Sequence, residues 1–176
     1  MRGLPALRGE EIRLEWAVEM RAHRGRLWTG AGAGMEVHAA SFLRERRMVL
    51  DRCLLKQKGE LRRIVCHELM HFVWMRLGNG ARRAWEGVLA AEWKARARGE
   101  LGWSAEWRKA GLGERDVAGR SRKWREYACE SFCATGAGLF AGGGEHEEYT
   151  LGARFRKRRG GWMEELVGHQ RGGLRI

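Results

Sequence analysis

"IVCHELMHFVW", residues 64–74, decides how this chain is read. Leu61, Ile64, Val65, Leu69, Phe72, Val73 and Leu77 recur at helical spacing around it. They predict a helix over 60–77, ended by "GNG" at 78–80 because Gly and Asn close helices. Residues four apart on a helix share a face, so His67 and His71 can hold one ion with two imidazole nitrogens. Glu68 is turned about 100° from His67. That sets its carboxylate beside the ion rather than on it, where a general base for a metal-activated water belongs. An H-E-x-x-H pattern also arises by chance, and a helix can bury two histidines for packing alone. The strongly apolar helix here favours metal, with zinc the expected ion.

A zinc site needs a third protein ligand, and a downstream carboxylate, His or Cys can supply it. Residues 121–135, "SRKWREYACESFCAT", predict a second long helix with Ser121 as its N-cap. Glu126 and Glu130 are four apart on it and face one way, among Trp124, Tyr127, Ala128 and Phe132. Two carboxylates on a buried face are costly unless they are paired or coordinate something. An ordinary solvated glutamate face is the competing reading, and the apolar neighbours count against it.

"HELMH" followed by "EYACESF" resembles the gluzincin zinc metallopeptidases, with a glutamate helix similar to that of the anthrax lethal factor-like peptidases. The small size is similar to the minigluzincins, single-domain forms that keep only the core of the catalytic fold. The resemblance covers the two motif helices and implies that Glu126 is the third zinc ligand. It implies that Glu130, one turn on, is the second-shell carboxylate fixing a histidine tautomer. It also implies that the strand before the motif helix, around 46–51, is the lower edge of a small sheet that binds an extended substrate by strand addition. Many members add a Tyr or His donor for the tetrahedral oxyanion. Tyr149 and His146 in "GEHEEYTLG" are the candidates, Arg154 is a further one, and Tyr127 points elsewhere.

The rest of the chain reads as follows. Residues 10–24, "EEIRLEWAVEMRAHR", predict a first helix, broken by the glycines of "GRLWTGAGAG". Residues 35–55 predict two or three short antiparallel strands. A helix is expected over 81–98, an irregular stretch with a helical turn at 104–110, a flexible or tight "GAGLFAGGG", and a last helix over 145–167 interrupted at Gly160-Gly161. The expected class is therefore α+β and zincin-like: a small, mostly antiparallel sheet packed on an active-site helix and a glutamate helix. No repeat or linker divides the chain, so residues 1–176 read as one metallopeptidase domain.

Composition narrows the alternatives. The 176 residues are 44% hydrophobic and 32% charged, which suits a folded domain rather than a disordered one. No apolar run reaches transmembrane length and no signal-peptide core follows the N-terminus, so a cytoplasmic protein with no membrane partner is expected. Four cysteines, Cys53, Cys66, Cys129 and Cys133, then read as reduced thiols. Cys66 points toward the core, and Cys133 is the nearer of the last pair to act as a soft ligand. His23 and His38 read as surface or fold histidines. The net charge of +12, densest in "RFRKRR" at 154–159, leaves weak, sequence-blind nucleic-acid binding open. Most of the nine tryptophans read as packing residues, while "ELGWSAEW" suits a wall over the site. The expected function is zinc-dependent endopeptidase action on a peptide or protein substrate, with Glu68 as general base. The competing function is a basic nucleic-acid-binding or regulatory protein with a structural or vestigial zinc site.

Overall fold

A computed structural model describes residues 3–24, 26–142, 144–171 and 173–176. Met1 and Arg2 at the head of the N-terminal stretch, and Gly25 and Gly143 of the two glycine-rich breakers, lie outside the described residues. The first third of the chain is β: β1 (Ala6–Arg8), β2 (Arg13–Ala17), β3 (Met20–His23), β4 (Arg26–Thr29), β5 (Met35–Glu36), β6 (Ala39–Phe42) and β7 (Arg47–Asp51). A 3-10 turn over Arg52–Lys56 leads into six helices: α1 (Lys58–Arg76), α2 (Asn79–Lys94), α3 (Trp103–Ala110), α4 (Glu114–Ala118), α5 (Arg122–Phe140) and α6 (Ala153–His169). The last strand, β8 (Gly173–Arg175), pairs in parallel with β1. The chain is thus mixed α and β, with small sheets and six helices among the described residues.

The helix expected over 10–24 is absent; that segment forms β2 and β3. Its Glu, Arg, Leu and Ala content favours a helix locally. Tertiary pairing overrides that preference: β2 runs parallel to β7, with Leu14 opposite Met48 and Trp16 opposite Leu50. β6 lies antiparallel on the other side of β7, as the short connection predicts. β3, β4 and β5 form a separate antiparallel sheet. So among the described residues three small sheets replace the single one expected. The strand at 46–51 is not a lower edge: β7 is central in the order β2-β7-β6, and the edges are β2 and β6. Met48, Val49 and Leu50 are all buried, so both faces of this central strand are covered.

Asp51 joins β7 to the motif helix. Its buried carboxylate accepts from the Cys53 N–H (2.8 Å) and the Met20 N–H (3.1 Å), which ties the 3-10 turn to the start of β3. Burial pushes this carboxyl up, but the two backbone donors outweigh it and hold it below its ordinary value. α1 then packs Leu61, Ile64, Val65, Leu69 and Phe72 onto Met48, Leu50 and Leu54. It ends before "GNG", though no glycine caps it: Arg82 of α2 donates to the carbonyls of Trp74 (2.8 Å) and Met75 (3.0 Å).

α1 and α5 share the most extensive helix contact, and the main core gathers around them. Ser121 caps α5 as expected, accepting from the Trp124 N–H at 3.3 Å. α5 does not stop at Thr135 but runs on through "GAGLF" to Phe140. Gly136 is what lets α1 come so close: a Cβ there would sit 2.5 Å from Met70 Cγ. α6 begins later than expected, at Ala153, and passes unbroken through Gly160-Gly161. It is anchored by Arg159, fully buried, whose guanidinium donates to Glu92 (2.6 Å) and Glu100 (2.6 Å).

Candidate metal centre

The site lies between α1 and α5. The side chains of His67 and His71 are 17% exposed, on one face of α1 as the four-residue spacing requires, with ring centroids 5.1 Å apart. Both Nε2 atoms turn to one carboxylate on α5. His67 Nε2 is 3.4 Å from Glu130 Oε2, and His71 Nε2 is 4.0 Å from Glu130 Oε1. In a tetrahedral site with bonds of about 2.0–2.2 Å, neighbouring donor atoms lie about 3.3–3.6 Å apart. The first distance already fits and the second needs a shift of about half an ångström to meet it. Two imidazoles and a carboxylate also match the borderline donor set that zinc-like ions prefer.

Of the two glutamates of α5, only the later one stands at the histidines. Glu126, implied as the third ligand, is 47% exposed and ion-paired with Arg122 one turn back, at 2.7 Å. Glu130, implied as a second-shell group, sits at the histidines. The two share a face, but the crossing of α5 over α1 buries only the later turn. Glu130 is also held by α3: Ser104 Oγ donates to Oε2 (2.9 Å), and Arg108 lies 3.5 Å from Oε1 while donating to Ser104 Oγ (2.5 Å). Burial pushes the Glu130 carboxyl up. The hydrogen bond from His67 and the charges of His71, His67 and Arg108 outweigh it and hold it near about 2.

His71 has a further partner that spacing did not reveal. Its Nδ1 lies 3.6 Å from Cys129 Sγ, so a thiol of α5, rather than a carboxylate, fixes the ring. Burial pushes this imidazole down. The Cys129 thiol and the Glu68 and Glu130 carboxylates override it and raise His71 to about 10. Cys129 falls to about 6, through its hydrogen bond with Cys133 and then, against burial, through His71. Anionic groups thus crowd two imidazoles, an environment in which a divalent cation can take the place of protons. Cys133 is fully buried, and its sulfur with His67 and His71 forms a group whose donor atoms all lie within 4.8 Å, able to hold a metal. Cys66 faces away, donating to the Gly136 carbonyl at 3.5 Å; burial pushes its thiol up to about 12.

Glu68 is half-buried and has no hydrogen-bond or ion-pair partner among the described residues. Its charge helps to raise the His71 imidazole and the Cys133 thiol. His146 and Tyr149 stand elsewhere. His146 pairs with Glu60 (3.2 Å), two turns before His67 on α1. Tyr149 packs over Gly138, two turns beyond Glu130 on α5. No contact among the described residues brings either to the cluster, and Arg154 is exposed, its guanidinium over Phe155. Among the described residues, the cation that does reach the cluster is Arg108, within the helical turn expected at 104–110, which forms part of α3.

The basic run divides. Arg159 is in the core, Arg156 pairs with Glu145 (2.8 Å), and Arg154, Lys157 and Arg158 are exposed. His38 lies beside Cys53 at 3.7 Å, away from the cluster. All four cysteines are free. No helix of the described residues is long and apolar enough to cross a membrane. Comparison with protein-family models, with curated proteins and with solved structures gives no match.

Proposed function

We propose that this chain is a zinc-dependent metallopeptidase built on a minimal gluzincin-like core, with His67, His71 and Glu130 as the ligand set. The observation that carries the reading is the convergence of both histidine Nε2 atoms on the Glu130 carboxylate, with Glu68 next to His67 in the chain and free of hydrogen bonds and ion pairs among the described residues. Zinc bound there would supply Lewis acidity that polarises a scissile carbonyl and acidifies a water toward a pKa of about 7. Glu68 accepts the proton of the attacking water and passes it to the leaving amine. Cys129 holds the His71 ring so that Nε2 stays aimed at the cluster. Ser104 and Arg108 hold the Glu130 carboxylate from α3. β6, the outer strand packed on α1, has the free backbone edge that an extended peptide pairs with.

Metal content and cleavage test this together. Purified protein should carry about one zinc per chain, and His67→Ala should carry none. A peptide library read by mass spectrometry should show cleavage that falls by ~10²–10⁴-fold in Glu68→Gln while zinc is retained. Robust cleavage by Glu68→Gln refutes the mechanism.

One observation favours a second reading. Cys133 is close enough to the histidines to act as a fourth protein ligand, which would close the site and make it structural. Cys133→Ala separates the two: it keeps its metal in the peptidase reading and releases it in the structural one. The divided basic run gives the nucleic-acid reading no continuous stripe on α6.

A further inference from the structure

Helix α3 is fastened on every side but one. The Trp103 N–H donates to Glu148 (3.0 Å), Ser104 to Glu130 (2.9 Å), and Lys109 Nζ to the Gly99 carbonyl (2.9 Å); Glu106 accepts from Thr150 (2.9 Å), and Ala105 is buried. The remaining face carries Trp103 and Trp107. Their rings stack at 14° with centroids 6.3 Å apart, yet they are 55% and 63% exposed. Every other polar tie holds the helix still, so the two indoles are displayed to water rather than left there by a loose segment. Paired exposed tryptophans on a rigid element are an unusual use of the residue type that contributes most to binding surfaces.

Trp107 borders a cavity of 500 Å³ whose rim includes Arg108, Lys123 and Glu126. Arg108 spans the gap to the metal centre: its guanidinium is 5.6 Å from the Trp107 ring centroid and 3.5 Å from Glu130. The cavity is therefore one side chain away from the histidines. Its charges are uneven. Glu126 pairs with Arg122 and Arg108 is engaged by Glu130, which leaves Lys123, whose charge also reaches Asp116, as the rim cation with no ion pair among the described residues, on a protein of net charge +12.

We infer that the Trp103/Trp107 face and its cavity bind an acidic stretch of polypeptide bearing a large apolar side chain, the apolar group seating on Trp107 and the carboxylate pairing with Lys123. This rests on the peptidase reading for its role as a substrate subsite, though not for binding itself. A single-stranded nucleic acid also stacks on aromatic rings, but it needs a row of cations to follow its backbone, and among the described residues the cavity rim carries only Lys123 and Arg108, the latter engaged by Glu130.

Calorimetry on zinc-loaded full-length Glu68→Gln tests it, with four probes: a dodecapeptide of Asp, Glu, Gly and Ser with one central Phe; the same with Ala for Phe; the same with Lys for the acids; and a dT12 oligonucleotide. The Phe-acidic peptide should bind best. Trp103→Ala/Trp107→Ala should weaken it about tenfold or more. Lys123→Glu should remove the preference over the Lys peptide. Equal binding by the Phe and Ala peptides, unchanged binding by the double tryptophan variant, tightest binding of dT12, or no binding at all overturns the inference. Selective binding with no cleavage by the parent protein keeps this surface and overturns the peptidase reading. Cleavage that ignores these features does the reverse.

Discussion

Glu130→Gln and Glu126→Gln are nearly isosteric changes one helical turn apart, and they discriminate sharply between the two carboxylates of α5. A metal that binds only the folded chain stabilises it by RT ln(1 + [L]/Kd), about 4.1 kcal/mol when free zinc is 1,000-fold above Kd. For a chain of 176 residues, each kcal/mol moves the midpoint by about 2–4 °C, so zinc should raise Tm by about 8–16 °C. Glu130 lies 3.4 Å from His67 Nε2 and is screened from water. Replacing its charge should weaken binding at least about 100-fold, by analogy with lost outer-sphere partners, which already cost 10–100-fold. At the same free zinc the ratio then falls to about 10, and the stabilisation to about 1.4 kcal/mol, or about 3–6 °C. Glu126 is half-exposed and pairs with Arg122, so its variant should keep the full shift. Melts by circular dichroism, with buffered zinc and with chelator, give all six midpoints. If Glu126→Gln loses the shift while Glu130→Gln keeps it, the geometry derived for α5 over α1 is wrong.

Arg159→Met should cost about 3–5 kcal/mol at neutral pH in urea unfolding, because Glu92 is left buried without its cation and Glu100 keeps only Lys109. Burial pushes the Glu100 carboxyl up, but Arg159 and Lys109 hold it low. Its contribution in the parent is therefore full above the ordinary carboxylate pKa and is lost as pH falls through the lowered value. The variant's deficit should accordingly shrink on acidification, and a deficit independent of pH would contradict the ion-pair account. Cys129→Ala should lower zinc affinity about 10–100-fold by freeing His71 Nδ1, measured by competition with a chelating dye; unchanged affinity removes the thiol from the site. For metal-free protein, Glu130 falls from 4.5 to about 2 on folding. It should add about 3 kcal/mol that is fully present above pH 4.5 and lost on descent to about pH 2, so Glu130→Gln should flatten the acid limb of a stability–pH curve.

The motif helix was legible in the sequence because its information is local. A period of 3.6 residues fixes which side chains share a face, so the convergence of His67 and His71, and the inward turn of Cys66, follow from spacing alone. Ser121 as the cap of α5 is local in the same sense. Helix composition misled at residues 10–24, where the deciding interaction is the pairing of β2 with β7, across the whole β3–β5 sheet. The same kind of distance hid the central place of β7. Periodicity put Glu126 and Glu130 on one face but carries no information on where along that face another helix crosses. That choice belongs to the α1–α5 interface: Gly136 admits Met70, Cys66 donates to the Gly136 carbonyl, and the register so set brings Glu130 to the histidines and leaves Glu126 at the surface. The sequence offered a helical turn at 104–110 and "ELGWSAEW" as a wall over the site, but the hold of Ser104 and Arg108 on Glu130 was out of reach for the same reason. Their helix lies in a glycine-punctuated stretch with a weak local signal, and its role comes from packing on α5. Short-range periodicity thus determined which residues could act together, and only the long-range fit of one helix against another decided which of them do.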